Sequence, residues 1–310
     1  MHLQRFRPLH SDDLGTDMEH PDYNSPSALK EFMEQNGLAM QKKFGQNFMV
    51  SEQARKKIVG RLECSPNDTV WEVGPGLGSM TELLLKSCAS VTAFEIDRAF
   101  ISFLPQFFKT YEEEKKFSLV QGDVLKTWHK EWEKIPQGSS LKLFGNLPYN
   151  IAATFIADTI TRRVLFSRCV FTVQKEVAER MAASPSSEDY SAFSVLCQWM
   201  YDVRLFMELP PAAFWPRPTV ASEAVLLTPK KKTLECEDPA FFVRMVHALF
   251  ASRRKTLSNN IKAILPPSVD SQSIFQSAGI SKSQRAENLT VEEFLLLSQK
   301  ARSAIMEVEK

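Results

Sequence analysis

The stretch DTVWEVGPGLGSMTELLLKS (residues 68–87) decides the fold. Asp68 to Val73 is a β-branched and aromatic run of strand length, three glycines follow at Gly74, Gly76 and Gly78, and Met80 to Ser87 reads as a helix. Glycines at such a turn let backbone N–H groups approach a ligand with no Cβ in the way. A nicotinamide-type G-x-G-x-x-G fingerprint would need a glycine where Ser79 stands. Alone, the segment is equally well a tight strand-to-helix turn, so its surroundings must decide.

Working outward, the alternation repeats. SVTAFEI (90–96), KFSLVQ (116–121), SLKLFG (140–145) and RCVFTVQ (168–174) read as buried strands, with helical stretches such as IAATFIADTIT (151–161) between them. This predicts an α/β fold, a parallel sheet with helices on both faces. DVRLFMEL (202–209) and ASEAVLLT (221–228) lack a long intervening helix, so that edge of the sheet is expected to turn antiparallel. From Lys230 the texture is helical only. Asp238-Pro239 opens a segment with Phe242, Val246, Leu249, Leu257, Ile261 and Ile264 near helical spacing, and Thr290 to Glu293 forms a possible capping box. The expected organisation is an acidic extension over 1–38, partly disordered up to a short helix near Ala28–Asn36, a Rossmann-like domain over 39–230 and a small all-α domain over 231–310.

Composition sets limits. With 44% apolar and 24% charged residues among 310, the chain reads as globular and soluble. No apolar run approaches the roughly 18 residues that span a bilayer. The first residues lack the apolar core of a secretory signal, and their acids argue against a transit peptide, so a cytoplasmic location without membrane attachment is expected. The five cysteines form no C-x-x-C pair, and His129 and His247 are isolated, so no metal site or disulfide framework is indicated. The net charge of +1 is unevenly divided: residues 1–38 hold three Lys/Arg against seven Asp/Glu, leaving 35 against 30 in the rest. That excess, clustered at 41–48, 52–61, 229–233 and 252–257, permits a polyanionic partner without demanding one.

The strand ends carry the chemistry. Glu95 ends the second strand, where an acid can accept hydrogen bonds from ribose hydroxyls, and Asp123 follows the third, within reach of an adenine amino group. Asn146 ends the fourth, and ligands of open parallel sheets bind outside such ends. The crevice therefore suits an adenosine-containing cofactor. No Gly-Lys-Ser/Thr phosphate loop is present, which disfavours ATP hydrolysis. The segment Gly145-Asn146-Leu147-Pro148-Tyr149 is odd for a mere turn. An exocyclic amino group of a base is a poor nucleophile because its lone pair is delocalised into the ring. Two acceptors aimed at its N–H groups, the Asn146 amide oxygen and the Leu147 carbonyl, would free that lone pair. Pro148 would fix the backbone, and Tyr149 would offer a face for an unstacked base.

These features, with KKFGQNF (42–48), FEIDR (94–98), GDVL (122–125), FTVQKEVAERM (171–181), FWPRPTVASEAV (214–225) and SRRKTLSNN (252–260), resemble the ribosomal RNA adenine dimethyltransferases, most closely those acting on small-subunit rRNA. The resemblance covers about residues 39–310. It implies a Rossmann-like S-adenosylmethionine methyltransferase domain with a helical domain, and dimethylation of N6 of two adjacent adenosines in the 3′-terminal hairpin of small-subunit rRNA. Gln46, Asn47, Met49, Gly74 and Gly76 would line the cofactor, with Glu95 on its ribose and Asp123 on its adenine. Asn146 would touch cofactor and target. Leu147, Pro148 and Tyr149 complete the catalytic motif, and Phe214 would sandwich the base against Tyr149. Lys42, Lys43 and a helix carrying Arg253, Arg254 and Lys255 would contact RNA backbone. The implied partner is small-subunit rRNA or the assembling small subunit, met by a monomer. Met49 replaces a usual leucine, EDYSAFSV (188–195) replaces a more usual Gly-Arg-Leu at its centre, and the acidic extension has no family role. The competing readings are a large-subunit rRNA or DNA methylase, an RNA- or DNA-binding assembly or transcription factor on the same fold, and a nicotinamide dehydrogenase.

Overall fold

Among the described residues, nine strands and thirteen α-helices follow one another. In this computed structural model residues 18–41, 45–136, 138–147, 149–231 and 234–309 are described, Tyr149 and Asn150 by backbone only. The strands are β1 (Phe48–Met49), β2 (Thr69–Val73), β3 (Ser90–Glu95), β4 (Phe117–Gln121), β5 (Leu141–Asn146), β6 (Arg168–Gln174), β7 (Tyr201–Leu209), β8 (Phe214–Trp215) and β9 (Ser222–Pro229). Helices α1 (Pro26–Gln35), α2 (Glu52–Gly60), α3 (Thr81–Leu85), α4 (Arg98–Phe107), α5 (Lys109–Glu113), α6 (Val124–Trp132), α7 (Tyr149–Thr161), α8 (Lys175–Ala182) and α9 (Ala192–Met200) alternate with them. Helices α10 (Pro239–Phe250), α11 (Leu257–Asn260), α12 (Ser271–Ala278) and α13 (Val291–Val308) complete the chain.

Seven strands form one sheet in the order β4-β3-β2-β5-β6-β9-β7. Strands β2 to β6 pair in parallel, and β9 lies antiparallel between β6 and β7, the antiparallel turn expected from the missing helix. The strand order reverses between β2 and β5, so a crevice opens beyond their carboxyl ends. The central strands bury almost every side chain, as Val70, Trp71 and Val73 of β2 show, because helices cover both faces.

One face packs with the C-terminal helices into a continuous core. Trp199 of α9 meets Phe242 of α10 at 4.7 Å between ring centroids, and the buried Tyr190 hydroxyl donates to the Leu289 carbonyl at 2.9 Å. Burying a large apolar side chain contributes roughly 1.5–3 kcal/mol, so such pairs fasten α10–α13 to the sheet. Local signals start these helices: Asp238 Oδ1 accepts from the Phe241 amide at 2.9 Å, and Thr290 with Glu293 closes a reciprocal capping box. The opposite face packs with residues of the N-terminal segment, Tyr23, Leu29, Met33 and Leu38 among them. Residues 18–38 thus form part of a core: α1 stands where a short helix near Ala28–Asn36 was expected, and the residues before it, expected to be poorly ordered, pack there too through Met18 and Tyr23.

Candidate functional site

The crevice holds a cavity of about 300 Å³, a volume suited to a small-molecule ligand. Its wall is built from consecutive strand ends. Behind β2 the glycine loop bends through Gly74, Gly76 and Gly78, each at positive φ. A Cβ on Gly76 would stand 3.0 Å from a ring carbon of Phe48, so glycine lets that ring close the cavity. Glu95, at the end of β3, accepts from the Gly76 amide at 3.1 Å and from the Ile96 and Asp97 amides at 2.8 Å each. Asp123 follows β4 and caps α6 through the Leu125 amide at 3.0 Å.

Asn146 ends β5 and donates from Nδ2 to the Asn47 carbonyl at 3.1 Å. Its successor Leu147 donates its amide to the Thr172 carbonyl at 3.0 Å and buries its side chain. That side chain explains Gly145, because a Cβ there would meet Leu147 Cδ2 at 2.7 Å. Across the opening, β1 pairs with β8 so that Met49 stands opposite Phe214. Gln46, Asn47, Met49, Gly74, Gly76, Glu95, Asp123, Asn146, Leu147 and Phe214 all line the one cavity. Lys42, Lys43, Pro148 and the side chain of Tyr149 lie outside the described residues.

Two acids give the cavity its electrostatics. Burial pushes the Glu95 carboxyl up to about 7 against the pull of its three amide donors, and burial pushes Glu72 up to about 8 despite the Thr81 hydroxyl that donates to it at 2.6 Å. Both are held at the cost of their solvation, an arrangement that a cationic ligand relieves. Together with the glycine cradle, this donor set fits a positively charged adenosine derivative.

Several contributors were not visible in the sequence. Asp97 is fully buried, and it accepts from Gln46 Nε2 at 2.6 Å and Gln41 Nε2 at 3.1 Å while capping α4 through the Ala99 amide. It thereby ties the arm before β1 to the edge of the Glu95 site. The signal available was an Asp two residues past Glu95 and ahead of an apolar helix, which reads only as an N-cap. Phe48, whose ring stacks on Trp215 at 6.3 Å, was also missed.

The basic cluster stands off the helix expected for it. Arg253, Arg254 and Lys255 lie in a turn between α10 and α11, not on a helix. Asn260 Nδ2 donates to the Leu249 and Ser252 carbonyls at 2.7 and 3.0 Å, satisfying the end of α10 and stopping it. Arg253, Arg254 and Lys255 are all exposed, and Arg253 is engaged by Glu287 at 3.2 Å and by the Glu188 carbonyl at 2.7 Å.

Residues 37–302 match the sequence profile of the ribosomal RNA adenine dimethylase family. The chain belongs to that family. Among adenine dimethylase relatives, the "Ribosomal RNA small subunit methyltransferase A" of Treponema denticola is 44% identical over 281 residues, covering 90% of this chain and 95% of that protein. The protein of the same name from Borreliella burgdorferi is 37% identical over 276 residues, covering 89% and 94%. In structure, the chain is similar to a dimethyladenosine transferase from Plasmodium falciparum, with a TM-score of 0.68 and 23% identity over 82% of this chain and 97% of that one. It is likewise similar to the 23S rRNA methyltransferase ErmE, with a TM-score of 0.59 and 18% identity over 81% and 98%. These likenesses establish the Rossmann-like methyltransferase fold with its helical C-terminal part.

Proposed function

We propose that this protein dimethylates N6 of two adjacent adenosines in the 3′-terminal hairpin of small-subunit rRNA, using S-adenosylmethionine. The observation that carries the reading is the presence of Asn146 in one cavity wall with Glu95, Asp123 and the buried Phe214. The names of the relatives support the small-subunit substrate over the large-subunit and binding-factor alternatives.

When bound, the cofactor supplies an electrophilic methyl group on a sulfonium. Glu95 accepts from ribose hydroxyls and Asp123 from the adenine amino group. Asn146, with Nδ2 committed to the Asn47 carbonyl, keeps Oδ1 as an acceptor for the target N6–H. The Leu147 carbonyl is the second acceptor, and together they localise the nitrogen lone pair. Alignment and preorganised dipoles carry the rate, and the alkylated nitrogen then releases its proton to solvent. Tyr149 and Phe214 hold the extruded base between their rings, with Pro148 fixing the turn.

Lys42, Lys43, Arg254 and Lys255 contact the RNA backbone, with Arg253 contributing from its tether to Glu287. The protein acts as a monomer, as the family resemblance implies. The substrate is the small subunit or its assembly precursor, met in the cytoplasm, with 39–230 acting as the methyltransferase unit and 231–310 as the RNA-facing unit. Transfer of radiolabelled methyl from S-adenosylmethionine to small subunits lacking these modifications tests the reading. Dimethyladenosine at two adjacent sites near the 3′ end is expected, and binding of cofactor and subunits without transfer would overturn it.

A further inference from the structure

Residues 18–36 precede the stretch that matches the family profile, 37–302, yet they reach two walls of the cavity. Tyr23 is buried, and its hydroxyl donates to the Leu77 carbonyl at 2.7 Å. Leu77 sits between Gly76 and Gly78, both at positive φ, in a loop whose glycines give the backbone little intrinsic stiffness. With the hydroxyl proton directed at Leu77, His20 Nδ1, 2.7 Å away, is the donor that completes the Tyr23 oxygen, and the His20 ring stacks on Phe107 at 4.7 Å. A second link runs through Arg55, itself buried. One end of its guanidinium donates to the Met49 carbonyl at 2.7 Å and the Tyr23 carbonyl at 3.3 Å, and the other to Asn24 Oδ1 at 2.8 Å. Met49 is the arm residue paired with Phe214.

We propose that residues 18–36 are a positioning element for the cofactor cavity, with Tyr23 fixing the glycine loop and Asn24, through Arg55, fixing the arm. The inference rests on the cavity being the S-adenosylmethionine site. Packing alone would be served by Leu29 and Met33. The buried hydroxyl, by contrast, fixes one carbonyl of the loop, and losing it leaves that carbonyl unpaired and free to turn.

The test measures S-adenosylmethionine affinity by calorimetry, together with KM, kcat and Tm, in the full chain and in Tyr23→Phe, Asn24→Ala and Leu29→Ala. Tyr23→Phe is expected to raise the cofactor Kd and KM about five-fold, the worth of one hydrogen bond, with kcat at saturating cofactor within about two-fold of wild type. Asn24→Ala, at an exposed position, shifts the same constants by a smaller factor. Leu29→Ala lowers Tm at least as much and leaves the Kd unchanged. An unchanged Kd in both Tyr23→Phe and Asn24→Ala, beside a wild type that binds, overturns the inference alone. So does a Leu29→Ala shift as large as that of Tyr23→Phe, which would mark a general loss of stability. Failure of the wild type to bind the cofactor overturns the function reading, and this inference with it.

Discussion

The side chain of Asn146 is hydrogen-bonded through Nδ2 to the main-chain carbonyl of Asn47, 99 positions away in sequence. A carbonyl accepts only, so the bond assigns the amide orientation and leaves Oδ1 as the acceptor end. Asparagine is therefore not interchangeable with aspartate there. Asn146→Asp would set a carboxylate against the Asn47 carbonyl, and Asn146→Ala would remove the acceptor. Each is expected to lower methyl transfer by roughly 10²–10³-fold, the cost of deleting one preorganised polar group, with far-UV circular dichroism unchanged. Near-normal turnover in Asn146→Ala would remove this residue from the proposed chemistry.

The two raised acids make stability and cofactor affinity respond to pH in opposite directions. An unfolded chain releases the Glu72 proton near 4.5, whereas the folded chain holds it to about 8. Folding thus takes up a proton between those values, and stability of the free protein falls as pH rises through that window. Glu95, held up to about 7, acts in the same sense over a narrower range. The penalty is absent below 4.5 and fully expressed above 8. Glu72→Gln should flatten the decline of Tm between pH 5.5 and 8.5, and an equal slope in both proteins would refute the assignment.

A cationic cofactor gains from the same ionisations, so its affinity is expected to rise with pH through 7 to 8, where the free protein is losing stability. Glu95→Ala removes both the charge and the ribose acceptor, and should raise the Kd by about ten-fold or more, as loss of a charge-assisted hydrogen bond implies. Calorimetry at pH 6 and 8.5 measures both effects. A pH-independent Kd in the wild type would show that neither carboxylate senses the ligand's charge.

Much of this site is local in sequence, which is why it was legible. Strands such as TVWEV and the glycine loop declare themselves within a few residues, and Glu95, Asp123 and Asn146 then follow from where their strands stop. Phe214 came only from resemblance. It enters the wall through pairing of β8 with β1, two-residue strands too short to carry a period. The bond from Tyr23 to Leu77 spans 54 positions and has no local signature. The misplaced helix at Arg253 has a similar cause. Apolar spacing continues past Phe250, but a side-chain cap from Asn260 ends α10.

That cap changes what the basic turn predicts. Arg253, Arg254 and Lys255 are all exposed, but Arg253 is partly committed to Glu287 and Glu188. Arg254→Ala should weaken RNA binding and reduce the magnitude of the salt slope by about one. Arg253→Ala should act more on Tm, since its tether links the segment around Glu188 to the turn at Glu287. Filter binding of the rRNA hairpin between about 50 and 200 mM salt, the range where phosphate contacts are most visible, separates the two. Equal slopes for wild type and Arg254→Ala would place the RNA path elsewhere.

Thr172 offers a test of the wall behind the motif. It pairs with Asn146 across β5 and β6 and with Ala224 of β9, and its carbonyl receives the Leu147 amide. Its hydroxyl is buried without a hydrogen-bond partner among the described residues, and it is not part of the cavity lining. An unpaired buried hydroxyl costs about 1–3 kcal/mol relative to a satisfied one, and valine has nearly its shape. Thr172→Val is therefore expected to stabilise the protein by about 1 kcal/mol, a rise of roughly 2 °C in Tm for a chain of this size, with methyl transfer unchanged. Because the strand register and the Leu147 bond use only backbone atoms of Thr172, neither should alter. A lower Tm would mean that the hydroxyl is satisfied by an ordered water held against β5. Lost transfer at an unchanged Tm would mean that the hydroxyl serves the bound state through its neighbour Asn146.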